Sequence, residues 1–344
     1  MPVNKRVYYP IQAVAFALHG TDFYSQPTGY IAAHGLQSVG QNVTFNVEQA
    51  FELGQIEIYE SIEGIPNVEL TLEKVIDGYP LIQHLASQSP GGNSTLNGRY
   101  NDARINVIAA TYPQTYNAAS GVPLSIAFMS GMYVSSIAFN IPVQGNATES
   151  VTLVGNNRTW ATGTAIPTGT LYGVATRFNN ADSPPGTGGI QRRENISMLY
   201  SRWPLDLPGI SSSGTNNYIG TEYQSHIQNV TVNVSLGRTE LFELGRRGPY
   251  YRYAEFPTEV TCTIEVTADE NGSYVNAYEE QDNLDDQTIK IIMECGVSID
   301  LGTKNKLTGT TESGGDASGG NRTVTYNYSN FNSLTVTFPN RDYL

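Results

Sequence analysis

The chain has 344 residues, room for two domains of ordinary size, yet only 15% of them are charged, where about a quarter is usual. With a net charge of −13 and only 19 Lys and Arg, it lacks the cations that would hold nucleic-acid phosphates tightly. Two cysteines, Cys262 and Cys295, exclude a disulfide framework and a cysteine-rich metal site, and read as buried free thiols of a protein made in a reducing cytosol. Asn, Thr, Ser and Gly take the place of charge, and 22 Tyr and 11 Phe supply large apolar area, a composition that suits strands with polar outer faces joined by turns. The fold class read from this is mainly β.

In chain order, residues 1–30 are apolar and aromatic and read as an N-terminal arm. The run from Ala13 to Leu18 follows Lys5 and Arg6 but is too short, and too poorly followed by a cleavage site, for a secretory leader. Residues 31–160 read as a first β module. Within it, His34, Gln37, Val39, Asn42, Val43, Thr44 and Phe45 lead to Phe51-Glu52-Leu53-Gly54 and then to Pro66 and Glu69-Leu70-Thr71-Leu72. Residues 161–218 are rich in Gly, Pro and Ser and read as a connecting region. Residues 219–344 repeat the series: His226, Gln228, Val230, Asn233, Val234, Ser235, Phe242-Glu243-Leu244-Gly245, Pro257, and Glu259-Val260-Thr261-Cys262. An ordered series at matched spacing is the mark of an internal duplication.

Each copy has the same predicted order of elements. Val68 to Val75 and Glu259 to Val266 alternate apolar and polar residues with period two, as half-buried strands do, and Pro66 and Pro257 precede them where a missing N–H does no harm. A short flanking helix is predicted after each strand pair: Leu81 to Leu85, with Asp77 as its cap or turn residue, and Ile289 to Met293, closed by Gly296. Closing strand pairs follow, Val134 to Ile141 with Glu149 to Val154, and Thr323 to Tyr328 with Ser333 to Phe338. The sum is two tandem β-sandwich or barrel modules, each with one flanking helix.

Catalytic and cofactor chemistry finds little support. The four histidines, His19, His34, His84 and His226, have no metal-ligand spacing, and no nucleophile elbow, phosphate loop or nucleotide fingerprint occurs. The acids Glu57, Glu60, Glu63, Glu69 and Glu73, and Glu279, Glu280, Asp282, Asp285 and Asp286, cluster in a way that invites comparison with paired glycosidase carboxylates. The first set sits at outward strand positions and the second before a predicted helix, where acids favour the dipole. No enzyme activity, cofactor or metal is expected. Arg246, Arg247 and Arg252 form a basic, aromatic-interleaved patch, read as an ionic and cation–π seam with acidic neighbouring subunits in preference to a nucleic-acid site.

The segments 34–85 and 226–266 resemble tail tube proteins of tailed bacteriophages. Phe242-Glu243-Leu244-Gly245-Arg246-Arg247-Gly248-Pro249-Tyr250-Tyr251-Arg252-Tyr253 is their most distinctive part. The resemblance implies a structural virion protein made in the bacterial cytoplasm. It would self-assemble into stacked rings, with inner sheets joined between subunits around a channel that DNA traverses without specific binding. A loop or arm would contact the next ring. It also implies partners among tape measure, terminator, baseplate and sheath proteins. The family stacks six-fold rings of single modules, so a two-module chain implies three chains per ring. The assembly signature carried over is His34, Phe51, Glu52, Leu53, Gly54, Pro66, His226, Phe242, Glu243, Leu244, Gly245, Arg246, Arg247 and Pro257. Alternatives are another phage ring protein, such as a terminator or decoration subunit, a secreted carbohydrate-binding or adhesin β protein, and a glycan-degrading tail enzyme. The two Trp, Trp160 and Trp203, lie in connecting regions, which weakens the last.

Overall fold

Period-two alternation dominates the chain because most of its strands cover a core with one face and leave the other open. The computed structural model of the protein describes residues 12–18, 30–54, 56–87, 93–95, 104–113, 123–163, 189–200, 218–219, 227–267, 286, 288–314 and 320–338. In chain order these residues form β1 (Gln12–Leu18), β2 (Ile31–Ala32), β3 (Leu36–Thr44), β4 (Val47–Phe51), β5 (Ile58–Glu63), β6 (Asn67–Val75), α1 (Ile82–Ala86), β7 (Asn93–Thr95), β8 (Ile105–Thr111), β9 (Ser125–Pro142), β10 (Thr148–Gly155) and β11 (Asn157–Thr162). There follow β12 (Ile196–Tyr200), β13 (Tyr218–Ile219), β14 (Ile227–Ser235), β15 (Arg238–Leu241), β16 (Tyr251–Ala254), β17 (Glu259–Thr267), β18 (Ile289–Met293), β19 (Ser298–Asp300), β20 (Lys306–Ser313), β21 (Thr323–Phe331) and β22 (Thr335–Thr337). The protein is mainly β, built of several sheets, and none closes into a barrel.

Eight strands form one continuous antiparallel layer in the order β3-β6-β10-β9-β14-β17-β21-β20. Two outer layers pack behind it, β2-β1-β8-β9-β11 and β13-β12-β18-β19-β22-β7. Strand β9 is 18 residues long and serves both kinds of layer. Its first part pairs with β8 and β11 and its last part with β10 and β14. The change of layer falls at Gly131, whose φ of 67° a side chain would resist and whose N–H is accepted by the Asn106 side chain at 3.2 Å.

The two halves of the eight-stranded layer repeat each other residue by residue. β3 and β14 lie 191 residues apart at both ends, and each loses one residue from its ladder at the same place, Gln37 and Gln228. β9 and β20 likewise skip Ser135 and Thr308 at matching positions against β10 and β21. The outer layers correspond as well. Ala161 faces Ile126 as Val336 faces Ile299, Ala110 faces Ile126 as Ile291 faces Ile299, and β1 takes the place beside β8 that β12 takes beside β18.

Four expectations are corrected here. Gln12–Leu18, expected in an arm, pairs with β8 over its full length, with Ala13 to Ala17 buried. Ile289–Met293 is a strand, not a helix: Ile289, Ile291 and Met293 are buried while Lys290 and Ile292 are only half-buried, which is period two. The closing pair of the second half is β20 with β21, and the residues around Thr335–Thr337 join the outer layer instead. The second strand of the repeat matches with Val68 opposite Val260, two residues from the match of Glu69 to Glu259 that identity suggests; a slip of two keeps every side chain on its face.

Helix α1 has five residues and its N-cap, Leu81, offers no side-chain acceptor. Asp77, expected as its cap or turn residue, is the turn residue: it accepts from the Tyr79 N–H two residues on at 3.2 Å and from Lys74 at 2.6 Å, while Lys74 also donates to the His34 carbonyl. The cap comes from another strand: the buried Glu149 carboxylate of β10 accepts the N–H groups of Ile82 at 2.7 Å and Gln83 at 2.9 Å. Burial pushes the Glu149 carboxyl up to about 7, against the opposing pull of the Gln83 and Ile82 N–H groups and of Lys74, with Asp77 adding to the rise. The folded chain thus holds a proton there that the unfolded chain releases at lower pH. This group's contribution falls as pH rises from about 4.5 to about 7, by on the order of 3 kcal/mol at most. Urea unfolding between pH 5 and 8 is expected to show that decline in the native chain and its absence in Glu149→Gln.

Candidate assembly interface

Two strand edges and two hairpins stand out as exposed. The eight-stranded layer ends in β3 on one side and β20 on the other, each hydrogen-bonded within the chain along one side only among the described residues. Both are largely exposed. In the middle of the layer, β9 and β14 pair from Ser136↔Ser235 to Pro142↔Asn229, and the ladder is continued by the Leu236 N–H to the Ser135 carbonyl and the Val143 N–H to the Gln228 carbonyl, each at 2.8 Å. β9 is the counterpart of β20 and β14 the counterpart of β3. The junction inside the chain therefore joins the same two kinds of edge that the chain leaves open at its ends.

The residues differ as their settings require. At the inner junction Val232 faces Phe139 and Val234 faces Ile137, all buried. At the open edges the corresponding residues are Gln41 and Val43 on β3, and Glu312 and Thr310 on β20. Polar residues on an exposed edge discourage random strand pairing. Glu312 is held by Arg322.

One face of the layer covers the core and the other is open. The open face is made of Thr, Ser, Asn and Glu, joined across strands by Thr71 with Thr152 at 3.5 Å, Thr263 to Asn327 at 3.2 Å, Ser38 to Glu73 at 3.3 Å and Ser329 to Glu259 at 2.7 Å. Its carboxylates are Glu69, Glu73, Glu259 and Glu265. Strands β3, β10, β9, β14, β17 and β21 contain no Lys or Arg, and the one in β6, Lys74, points inward and is fully buried.

The repeated Phe-Glu-Leu-Gly tetrapeptides form the turns of two hairpins, β4–β5 and β15–β16, whose registers match at a separation of 191 residues, Val47↔Glu63 against Arg238↔Ala254. Gly54 (φ 101°) and Gly245 (φ 86°) occupy equivalent left-handed positions with nothing near a would-be Cβ, so backbone conformation alone calls for glycine. Leu53 and Leu244 are fully exposed at 103% and 104%, and Phe51 and Phe242 are largely so. Leucines and phenylalanines projected into solvent from two matching hairpins concentrate exposed apolar surface there.

The basic patch divides. Arg246 lies 3.5 Å from Glu243 on the surface. Arg247 donates to the carbonyls of Glu63 at 3.0 Å and Gly64 at 3.4 Å, tying the second hairpin to the first. Arg252 turns inward, where it pairs with Glu240 and donates to Asn156 at 3.1 Å and Asn67 at 3.4 Å; burial lowers its pKa, and Glu240 and Tyr133 oppose that shift. Arg238 donates to the Val134 carbonyl and lies over the Tyr133 ring at 5.5 Å. His34 stacks on Tyr79 at 4.3 Å, and Pro66 offers its carbonyl to the Asn156 amide at 3.1 Å. His226 lies outside the described residues, and Pro257 sits before β17 at the foot of the second hairpin. The cysteines are both buried and free. Among the described residues no group of His, Cys, Asp and Glu is placed to hold a metal, and no helix is long and apolar enough to cross a membrane.

No family model and no curated protein matches the chain. Among solved structures it is similar to a chain of the anti-feeding prophage (AFP) baseplate, with 11% identity and a TM-score of 0.33 over 46% of this chain and 98% of that one. It is similar at 12% identity and a TM-score of 0.33 to a chain of the PVC sheath-tube complex of an extracellular contractile injection system, over 47% and 95%. A mutant of the Hcp1 protein from E. coli EAEC 042 aligns at 12% identity and a TM-score of 0.22 over 44% and 97%.

Removing Arg252 would leave Glu240, Asn67 and Asn156 without their shared donor. Arg252→Ala is expected to cost about 3 kcal/mol in chemical unfolding, whereas Arg246→Ala, on an exposed pair, should change stability by less than about 0.5 kcal/mol.

Proposed function

We propose that the chain is a structural ring subunit of a phage-type tail tube. Its eight-stranded layer would be one third of the channel wall. The carrying observation is the β9–β14 junction: a head-to-tail contact between equivalent edges, already made once inside the chain, leaves β20 and β3 free to make it again between chains. A heterologous contact that closes by rotation gives a ring. Two modules per chain and six-fold module symmetry give three chains, whose eight strands each close a 24-stranded wall. On this reading the modules run from β1 to β11 and from β12 to β22, and the repeat arose by duplication. The expected register places Asn42 opposite Thr311 and Val43 opposite Thr310 of the neighbouring chain.

The open face supports the same reading. Hydroxyls, amides and four carboxylates dominate this face, and the one cation that the described strands place on it, Lys306 opposite Ser329, is paired with Asp286 at 2.8 Å, so a polyanion would slide past with little counterion release. The hairpin tips, with Phe51, Leu53, Phe242 and Leu244, would bury their exposed side chains against the next ring, making stacking the apolar part of assembly. Other tail proteins would meet the ends of the stack and its interior.

Class averages of purified protein in negative stain, viewed down the axis, are expected to show hollow rings of three chains with six lobes; a protein that stays monomeric when concentrated would refute the reading. The double substitution Leu53→Asp with Leu244→Asp is expected to leave rings and abolish stacks, seen as loss of tubes in the same images. Replacing Glu69, Glu73, Glu259 and Glu265 by Lys is expected to turn rings that ignore duplex DNA at low salt into rings that retain it in a sedimentation assay, with retention lost as salt rises.

A further inference from the structure

The two hairpins repeat each other in sequence and register, but their bases are packed differently. At the base of the second, Leu236 is fully buried and its N–H reaches the Ser135 carbonyl at 2.8 Å. Arg238 donates to the Val134 carbonyl and lies over the Tyr133 ring, which Tyr251 meets edge-on at 6.2 Å. Arg252 donates to Asn67 and Asn156. The second half therefore grips the first through this hairpin as well as through β9 and β14. At the separation of 191 residues, the corresponding side chains of the first hairpin are Phe45, Val47, Glu60 and Ser61. All four are exposed, Phe45 at 73%. Phenylalanine and valine at the foot of a two-stranded hairpin leave apolar area that a partner surface would cover.

We propose that the base of the first hairpin clasps a second copy of the chain, docking on its Lys306, Leu307 and Phe331. The inference rests on the ring reading above. β9 corresponds to β20 and β10 to β21 with their bulges aligned. Tyr133, Val134 and Asn156 then correspond to Lys306, Leu307 and Phe331, and Asn67 to Glu259. A neighbour whose β20 pairs with β3 presents those residues to the first hairpin as β9 and β10 present theirs to the second. The replacements on the two sides compensate each other. Size is exchanged: the large Arg252 meets the small Asn156 within the chain, whereas the small Ser61 meets Phe331, which is 60% exposed. Charge is matched: Tyr251 against Tyr133 becomes Glu60 against Lys306. Lys306 lies on the surface 2.8 Å from Asp286, and an ammonium group has donors enough for a second carboxylate. Phe45, standing where Leu236 is buried, is covered by the same neighbour. Each ring contact then has two parts, the ladder of β20 with β3 and this clasp. The hairpin tips, with Leu53 and Leu244, are left for the next ring.

The experiment mixes isotopically labelled and unlabelled full chain before assembly and treats the product with a carbodiimide, which joins a carboxylate to an amine in contact with it. Mass spectrometry then maps the joined peptides. In parallel, Asn42→Cys with Thr311→Cys is oxidised and resolved on a non-reducing gel to test the wall ladder. The expected result is a Glu60–Lys306 link in mixed-isotope pairs together with disulfide-bonded multimers. Multimers without that link, or a link found only within one chain, would overturn the clasp and leave the ring standing. Absence of both would overturn both. A second variant reads the energetics: Phe45→Asp with Val47→Asp, exposed in the single chain, is expected to leave its unfolding unchanged. It should raise the concentration needed for rings in sedimentation velocity by at least about tenfold. Rings that form at the native concentration would overturn the clasp.

Discussion

A strand has two sides that must find hydrogen-bond partners, and the architecture of this chain follows from how it meets that requirement. An eight-stranded antiparallel layer necessarily ends in two open ladders. Most proteins cover or blunt such edges. Within its layer this chain joins its own two halves through β9 and β14, and among the described residues a matching pair of edges is left outside. The inner contact is apolar and its facing side chains are buried in the core. The outer edges carry Gln41 and Glu312 where the inner one has Val232 and Phe139, and polar residues on an exposed edge discourage indiscriminate strand pairing.

The two faces of that layer divide the labour. The buried face draws β6, β10, β14, β17 and β21 onto one continuous core that also holds the outer strands, and so fixes the angle between halves. The open face carries hydroxyls, amides and carboxylates joined across strands. Several cations near the layer and its hairpins are engaged within the chain: Lys74 with Asp77 and the His34 carbonyl, Arg252 with Glu240, Arg247 with the backbone of the first hairpin. Among the described residues, exposed apolar surface is concentrated instead on two hairpins.

Much of this was legible in the residues. Val68 to Val75 and Glu259 to Val266 announce half-buried strands by strict alternation, and the repeated Phe-Glu-Leu-Gly announces equivalent turns, which Gly54 and Gly245 explain through their left-handed backbone. Other features were hidden for identifiable reasons. Ile289–Met293 is short and apolar, and over five residues a strand and a buried helix look alike. Gln12–Leu18 has no sequence likeness to Ile196–Tyr200, although each stands beside the corresponding strand of its half; an alanine-rich strand and a larger-residue strand can occupy one position when the neighbouring packing adjusts. The cap of α1 could not be read locally because Glu149 lies 67 residues from Ile82.

The sequence by itself determined the mainly β class, the recurrence of one unit and the scarcity of cations, since alternation, spacing and composition are properties of the chain alone. Only the tertiary structure decided which of many acids share the open face, which edges remain unpaired, and that β7 of one half completes the sheet of the other. Those are relations between residues far apart in the chain. They depend on strand order and register, which backbone hydrogen bonds set and which no local pattern of side chains encodes.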